Sequence, residues 1–215
     1  MGPWNENEQV DYTSSPSLRG EKRAMIPAVI LADIVLVGIL ILTVILLVTM
    51  LTSLFLFVPY VPTPKAVVEF MLERANLSGN QTVYDLGCGD ARLLIAAKKR
   101  CPSIRAIGYE LPLGIWLLAK IKVFLSRKNI TVRLGNYLHG DLHDADVIFL
   151  YLVPEVMGKL VKKLEKELKP GTRIISHGFE LPGRSPKSVE RCSLPSWHLF
   201  RPKGKVGPRV FVYEW

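Results

Sequence analysis

The apolar and polar positions divide the 215-residue chain into three stretches. Residues 1–24 are polar, rich in Asn, Glu, Ser, Pro and Gly, and read as a flexible tail. Ile26 to Val58 is apolar for 33 residues, with Asp33 as its single charge. A run of that length fits a membrane segment rather than a core helix, so 25–58 is expected to be a transmembrane helix. A cleaved signal sequence would instead have an apolar core of about 7–15 residues ending at small side chains. This run ends in Phe55-Leu56-Phe57-Val58-Pro59. Pro59, Pro62 and Pro64 then interrupt any helix, and 59–80 reads as a linker and a lead-in helix. Thr63 is the expected cap and Pro64 the first-turn residue of that helix, Lys65–Ala75. Its apolar face carries Val67, Val68, Met71 and Leu72.

From 81 to 215 short apolar runs alternate with helical patterns. Strands are expected at Gln81–Leu86, Ile104–Tyr109, Ile130–Leu134, Asp146–Leu152 and Thr172–Ser176. Helices are expected at Asp90–Arg100, Pro112–Arg127 and Pro154–Leu168. Val189–Leu194 and Arg209–Glu214 read as two further strands. Such alternation predicts an α/β, Rossmann-like domain with a mostly parallel sheet flanked by helices. The N-terminal transmembrane helix precedes it.

Charge sharpens the division. Residues 59–215 carry 25 Lys and Arg against 14 Asp and Glu, while residues 1–58 carry three against five. A basic domain tied to a bilayer is attracted by anionic head groups, and the same charge could serve nucleic acid. An ordinary solvated surface is the simpler explanation. Cys88, Cys101 and Cys192 are too few and too scattered for a disulfide framework or a metal site, and thiols of this kind suit a reducing compartment. His139, Asp141, His143 and Asp144 read as a polar loop, and no metal is expected.

The candidate chemistry begins where the first strand ends. Asp85 precedes the turn Gly87-Cys88-Gly89, and Asp90 follows it. Glycines there let the backbone approach a ligand at the carboxyl edge of the sheet. A dinucleotide fingerprint would need a third glycine three residues after Gly89, where Arg92 stands. The acid before the loop suits a cation better than a pyrophosphate, and S-adenosylmethionine carries an ammonium and a sulfonium centre. Glu110 ends the second strand, 25 residues after Asp85, at the place of an acid that accepts ribose hydroxyls. Asn136, after the third strand, is placed to meet the adenine edge.

Asp85-Leu86-Gly87-Cys88-Gly89-Asp90, Gly108-Tyr109-Glu110 and Gly135-Asn136 resemble the motifs of class I S-adenosylmethionine-dependent methyltransferases. Pro62-Thr63-Pro64, Asp90-Ala91-Arg92, Tyr151-Leu152-Val153-Pro154 and Ser176-His177-Gly178-Phe179 narrow the resemblance to the FAM173-like group. Ala91 departs from the glycine usual in that group. The resemblance implies S-adenosylmethionine as cofactor, held by Asp85, Gly87, Cys88, Gly89, Asp90, Glu110, Asn136 and Tyr151. It also implies a protein substrate with an accessible lysine, at or in a membrane; in a eukaryotic host that membrane is the mitochondrial inner one. Tyr151, at the end of the fourth strand, then faces the acceptor, and the Asn- or Asp-Pro-Pro-aromatic tetrapeptide of adenine and glutamine methyltransferases is missing there.

A lysine amine must shed its proton before it attacks, and an apolar slot favours that by desolvation. Tyr151 is expected to present its ring and hydroxyl to the amine and His177 to take a proton, with a purely structural histidine as the alternative. Asp90 is alternatively a helix cap. The competing functions are a lipid or small-molecule methyltransferase and a non-catalytic S-adenosylmethionine- or RNA-binding module. Nucleic acid is the less expected partner, because an aromatic platform for it is missing. Arg19, Lys22 and Arg23 before the apolar run and Lys65 and Arg74 after it do not orient the domain. Cytosolic cofactor supply places it on the cytoplasmic side of a single span, with a re-entrant hairpin as the alternative.

Overall fold

The computed structural model describes residues 16–56, 60–192 and 208–215. The chain divides into two units at Leu46–Leu47.

Helix α1 spans Pro16–Leu56. Within it Val29–Leu51, 23 residues of mean hydropathy 3.2, is long and apolar enough to cross a membrane. At about 1.5 Å per residue it extends roughly 35 Å, against a hydrocarbon core of about 30 Å. Thr43 returns its hydroxyl to the Ile39 carbonyl at 2.8 Å, which satisfies that polar group inside the helix. The helix begins inside the stretch expected to be a flexible tail (1–24). Proline suits a first turn, and Glu21, Lys22, Arg23 and Ala24 are good helix formers that extend a helix nucleated by the apolar run. Residues 1–15 and 57–59 lie outside the described residues.

The second unit is a seven-stranded sheet in the order β3-β2-β1-β4-β5-β7-β6. Its strands are β1 Thr82–Leu86, β2 Arg105–Glu110, β3 Ile130–Leu134, β4 Val147–Leu150, β5 Arg173–His177, β6 Ser188–Arg191 and β7 Arg209–Glu214. The pairs β1–β2, β2–β3, β1–β4 and β4–β5 are parallel, and β7 runs antiparallel to both β5 and β6. The helices are α2 Lys65–Ala75, α3 Arg92–Arg100, α4 Leu113–Ser126 and α5 Pro154–Glu167. Strand side chains alternate between two cores, as a pleated sheet buried on both faces demands. Val83, Ala106, Val147, Phe149, Ile175 and Val212 pack with α2, α3 and α4. Tyr84, Ile107, Ile148, Leu150, Ile174 and Phe211 pack with Met157, Leu160 and Leu164 of α5.

Helix α2 joins the first of these cores through Val67, Val68, Met71, Leu72 and Ala75. The lead-in helix is thus part of the domain. Its cap is Pro64 rather than Thr63, since the Pro64 carbonyl accepts the first helical bond, from the Val68 N–H at 3.0 Å. Register brings Asp85 beside Gly108, Leu86 beside Leu150 and Leu150 beside Ser176. The carboxyl ends of β2, β1, β4 and β5 therefore share one edge, at the point where strand order reverses and open α/β sheets bind ligands.

Candidate active site

That edge holds a cavity of about 250 Å³. Asp85 and Gly87 to Asp90 form its floor, Glu110 and Ile115 one side, and Tyr151, Leu152, Val153 and Phe179 the other, with Tyr60 to Thr63 across the front. The loop is pinned to its neighbour strand: Gly87 and Cys88 both donate backbone N–H bonds to the Tyr109 carbonyl at 2.9 Å. Gly87 has φ +82, and a Cβ on it would lie 2.9 Å from Leu152 Cδ2. Gly108 is needed for another reason. A Cβ there would meet Cys88 Sγ at 2.7 Å and Leu94 Cδ1 at 2.9 Å, so the loop seats on β2 only over a bare backbone. Ala91, at φ +60, holds the left-handed position that the resembling group gives to glycine. That conformation costs a non-glycine residue roughly 1–2 kcal/mol, offset in part by burial of its methyl, about 0.8 kcal/mol.

Three carboxylates surround the loop in two electrostatic conditions. Burial, with Glu110 and Asp90 nearby, pushes Asp85 up to about 8. Burial likewise raises Glu110 to about 7, against the opposing pull of two backbone donors. Those donors are Gly89 N–H at 2.6 Å and Leu111 N–H at 3.2 Å. Asp90 differs. Burial alone would raise it, but Arg92 and Lys122 overcome that and hold it well below the usual carboxylate range. Arg92 grips both its oxygens at 2.8 Å, and Lys122 reaches Oδ2 from α4. Arg92 also donates to the Thr63 carbonyl at 3.0 Å, which straps the segment before α2 across the cavity. Asp90 does not cap α3 in the expected way: the cap is Ala91, and Asp90 meets the α3 backbone at the Arg92 N–H, at 3.3 Å.

The remaining expected residues separate into two groups. Tyr151 lines the cavity and packs against the His177 ring, with centroids 4.1 Å apart and planes tilted by 37°. His177 lies behind it, buried, and is not part of the lining. Its Nδ1 has no hydrogen-bond partner among the described residues, and burial lowers its pKa to about 4. Burial thus leaves the imidazole neutral at physiological pH and a weak base. Asn136 is outside the lining as well. Its Oδ1 accepts from the Leu138 N–H at 2.9 Å and caps the short 3-10 helix Tyr137–His139. In the polar loop, Asp144 binds the Tyr84 hydroxyl and Arg105. Asp141, His143 and Glu167 bring ligand atoms within 4.8 Å of one another, but Asp141 already pairs with His143 and Glu167 with Lys163.

Arg92, Lys122, Thr63 and Tyr60 were not anticipated as site residues. The sequence shows Arg92 only as a missing glycine, and Lys122 lies 32 residues from Asp90; the fold alone joins them.

A buried cluster of acids with two raised pKa values favours a ligand that brings positive charge and hydroxyl donors, and S-adenosylmethionine meets both requirements. The comparisons agree. Residues 85–188 match the family model described as ANTKMT methyltransferase domain. A protein-lysine N-methyltransferase of Saccharolobus islandicus (strain REY15A) is 43% identical over 136 residues, covering 61% of this chain and 83% of that protein. An adenine nucleotide translocase lysine N-methyltransferase of Mus musculus is 32% identical over 161 residues, 73% of this chain but 63% of its own length, so the match spans less than two thirds of that relative. Among solved structures, an RNA methyltransferase from Salinibacter ruber in complex with S-adenosyl-L-homocysteine shares the fold at TM-score 0.63 and 30% identity, over 72% of this chain and 93% of that one. Sequence, sheet order and the glycine loop at its carboxyl edge thus converge, and the chain belongs to the FAM173-like family of class I S-adenosylmethionine-dependent methyltransferases, the family of the ANTKMT methyltransferase domain.

Proposed function

We propose that this methyltransferase transfers methyl groups to lysine side chains of a protein in or beside a membrane, with α1 as its anchor. The observation that carries the reading is the acceptor side of the cavity. Besides the acids, its lining carries the aromatic rings of Tyr60, Tyr151 and Phe179 and the aliphatic side chains of Val61, Val153 and Ile115. Such a mouth admits a long aliphatic stem and holds an amine against ring faces. It also penalises the ammonium form by desolvation, which draws the lysine pKa down from about 10.4 towards the neutral, nucleophilic amine. The proton leaves to solvent at the open mouth.

Bound, S-adenosylmethionine supplies a methyl group on a sulfonium. In this reading Asp85, Gly87, Cys88, Gly89 and Glu110 hold it, Glu110 accepting the ribose hydroxyls. Asp90 serves through Arg92 and Lys122 by fixing the loop and the strap. Tyr151 presents its ring and hydroxyl to the acceptor, and His177 is a positioning residue that backs the Tyr151 ring. Asn136 shapes the turn after β3. The catalytic work is chiefly placement of the amine in line with the departing sulfur. The domain limits follow: an anchor over 25–58, a strap and lead-in helix over 59–80, and the transferase over 81–215. The lysine-methyltransferase names of the archaeal and mouse relatives support this substrate class. In the anchored arrangement the domain faces the compartment that supplies the cofactor.

RNA is the second reading, favoured by the Salinibacter ruber structure and by the net charge of +9. One experiment separates them. The full chain in detergent is given tritium-labelled S-adenosylmethionine with solubilised membrane proteins, total RNA or a lipid extract. Label recovered as methyl-lysine after protein hydrolysis is the expected result. Label confined to RNA or lipid overturns the proposal.

A further inference from the structure

Helix α4 presents the wrong face to water. Of its 14 residues only Ala119 and Val123 are fully buried. Leu117, Leu118, Ile121, Phe124 and Leu125 fall at the i, i+1, i+4, i+7, i+8 spacing of a single stripe on the opposite side. The outer end of that stripe is bare: Ile121 is 55% exposed, Phe124 81% and Leu125 71%. An aromatic and two branched aliphatics together on a surface mark an interaction site rather than chance exposure. The borders are cationic. Lys120 flanks the stripe and Arg127 and Lys128 follow the helix, while Lys122 on the other flank is turned to Asp90. The whole segment from Leu111 to Gly140 carries five Lys and Arg and no Asp or Glu.

We infer that this face of α4 docks on the surface of a bilayer containing anionic lipid, with Ile121, Phe124 and Leu125 in the head-group layer and the basic border against the phosphates. Two observations choose the bilayer over another protein. The charge is of one sign, as an anionic surface requires. The same chain also carries Val29–Leu51, a helix long and apolar enough to cross a membrane; the inference rests on reading that helix as the anchor. Docking would add a second contact to the anchor and so restrict rotation of the domain at the bilayer surface. An amphipathic helix with a basic border is the form such interfacial contacts take.

The test uses the full chain in lipid nanodiscs with Phe124→p-benzoylphenylalanine, and with Lys162→p-benzoylphenylalanine on the exposed side of α5 as control. After irradiation, Phe124→p-benzoylphenylalanine is expected to yield lipid adducts several-fold above the control. Phosphatidylserine in place of part of the phosphatidylcholine raises that yield by about fivefold for each basic residue engaged. A cross-linked pair of chains, which would mean a second copy covers the stripe, overturns the inference. So do equal yields at the two positions, or no adduct at Phe124→p-benzoylphenylalanine. Anchoring is read separately, from unlabelled chain that stays with the discs through gel filtration. Retention without a lipid adduct defeats the docking of α4 alone, whereas loss of the chain from the discs overturns both readings.

Discussion

Cofactor affinity is expected to climb steeply with pH. Asp85 at about 8 and Glu110 at about 7 are largely protonated in slightly acidic solution, whereas a bound cation and two ribose hydroxyls require both as carboxylates. The sign follows: binding expels protons, so affinity rises as pH rises through the two free-state values. At about pH 6 the doubly ionised site is roughly one molecule in 1,000, and at about pH 7.5 roughly one in six, from those two values. Because apparent affinity scales with the competent fraction, the dissociation constant falls on the order of 100-fold over that interval. Above it the ligand's own α-amino group, with a pKa near 8, begins to lose its charge and the rise flattens. Calorimetry of S-adenosylmethionine binding at the two pH values, in buffers of different ionisation enthalpy, measures both affinity and proton release. Near pH 6 close to two protons leave per ligand. An affinity equal within about twofold at the two pH values, with heats independent of buffer, refutes the electrostatic account of the site. The same titration acts on folding: Asp85 is raised, so in the ligand-free protein it costs stability as pH increases from about 4 to about 8.

Three substitutions test the supporting structure. Arg92→Met removes the two-oxygen grip on buried Asp90 and leaves Lys122 as its cationic partner; it is expected to lose about 2 kcal/mol, below the 3–5 kcal/mol of a fully broken buried pair because Arg92 is itself part-exposed. The thermal midpoint then falls roughly 4–8 °C, and cofactor affinity falls with it as the strap is released. Gly108→Ala forces its Cβ against Cys88 and Leu94, at about 1–3 kcal/mol for overpacking, and denaturant titration reads the loss; no change would mean that the loop yields freely. Tyr151→Phe keeps the ring against His177 and is expected to lower kcat roughly tenfold or more with cofactor affinity unchanged; loss of affinity instead would place the hydroxyl on the cofactor.

Much of this molecule was legible before any coordinates. The strand and helix limits of the sheet domain lie within a few residues of their expected places, because apolar runs of four to six residues between glycine, proline and polar turns admit little else. The family followed from three motif segments at successive strand ends. What escaped the sequence depends on side chains meeting across long separations. Asp90 and Asn136, expected as cofactor ligands, also carry structural bonds: one is held by Arg92 and Lys122 and the other caps a turn. His177 closes the fifth strand, and its burial behind Tyr151, which lowers its pKa, is not written in a tetrapeptide. The start of α1 escaped for a simpler reason: polar composition reads as a tail even where the residues are good helix formers continuing an apolar helix.

The central claim is lysine methylation at a membrane, and quantitative mass spectrometry of membrane proteins tests it most directly. Cells are compared with the gene intact, deleted, and carrying Glu110→Ala. The account predicts methyl-lysine on at least one membrane or membrane-associated protein that disappears in both altered strains and returns with the wild-type chain. Identical lysine methylation in all three would contradict it.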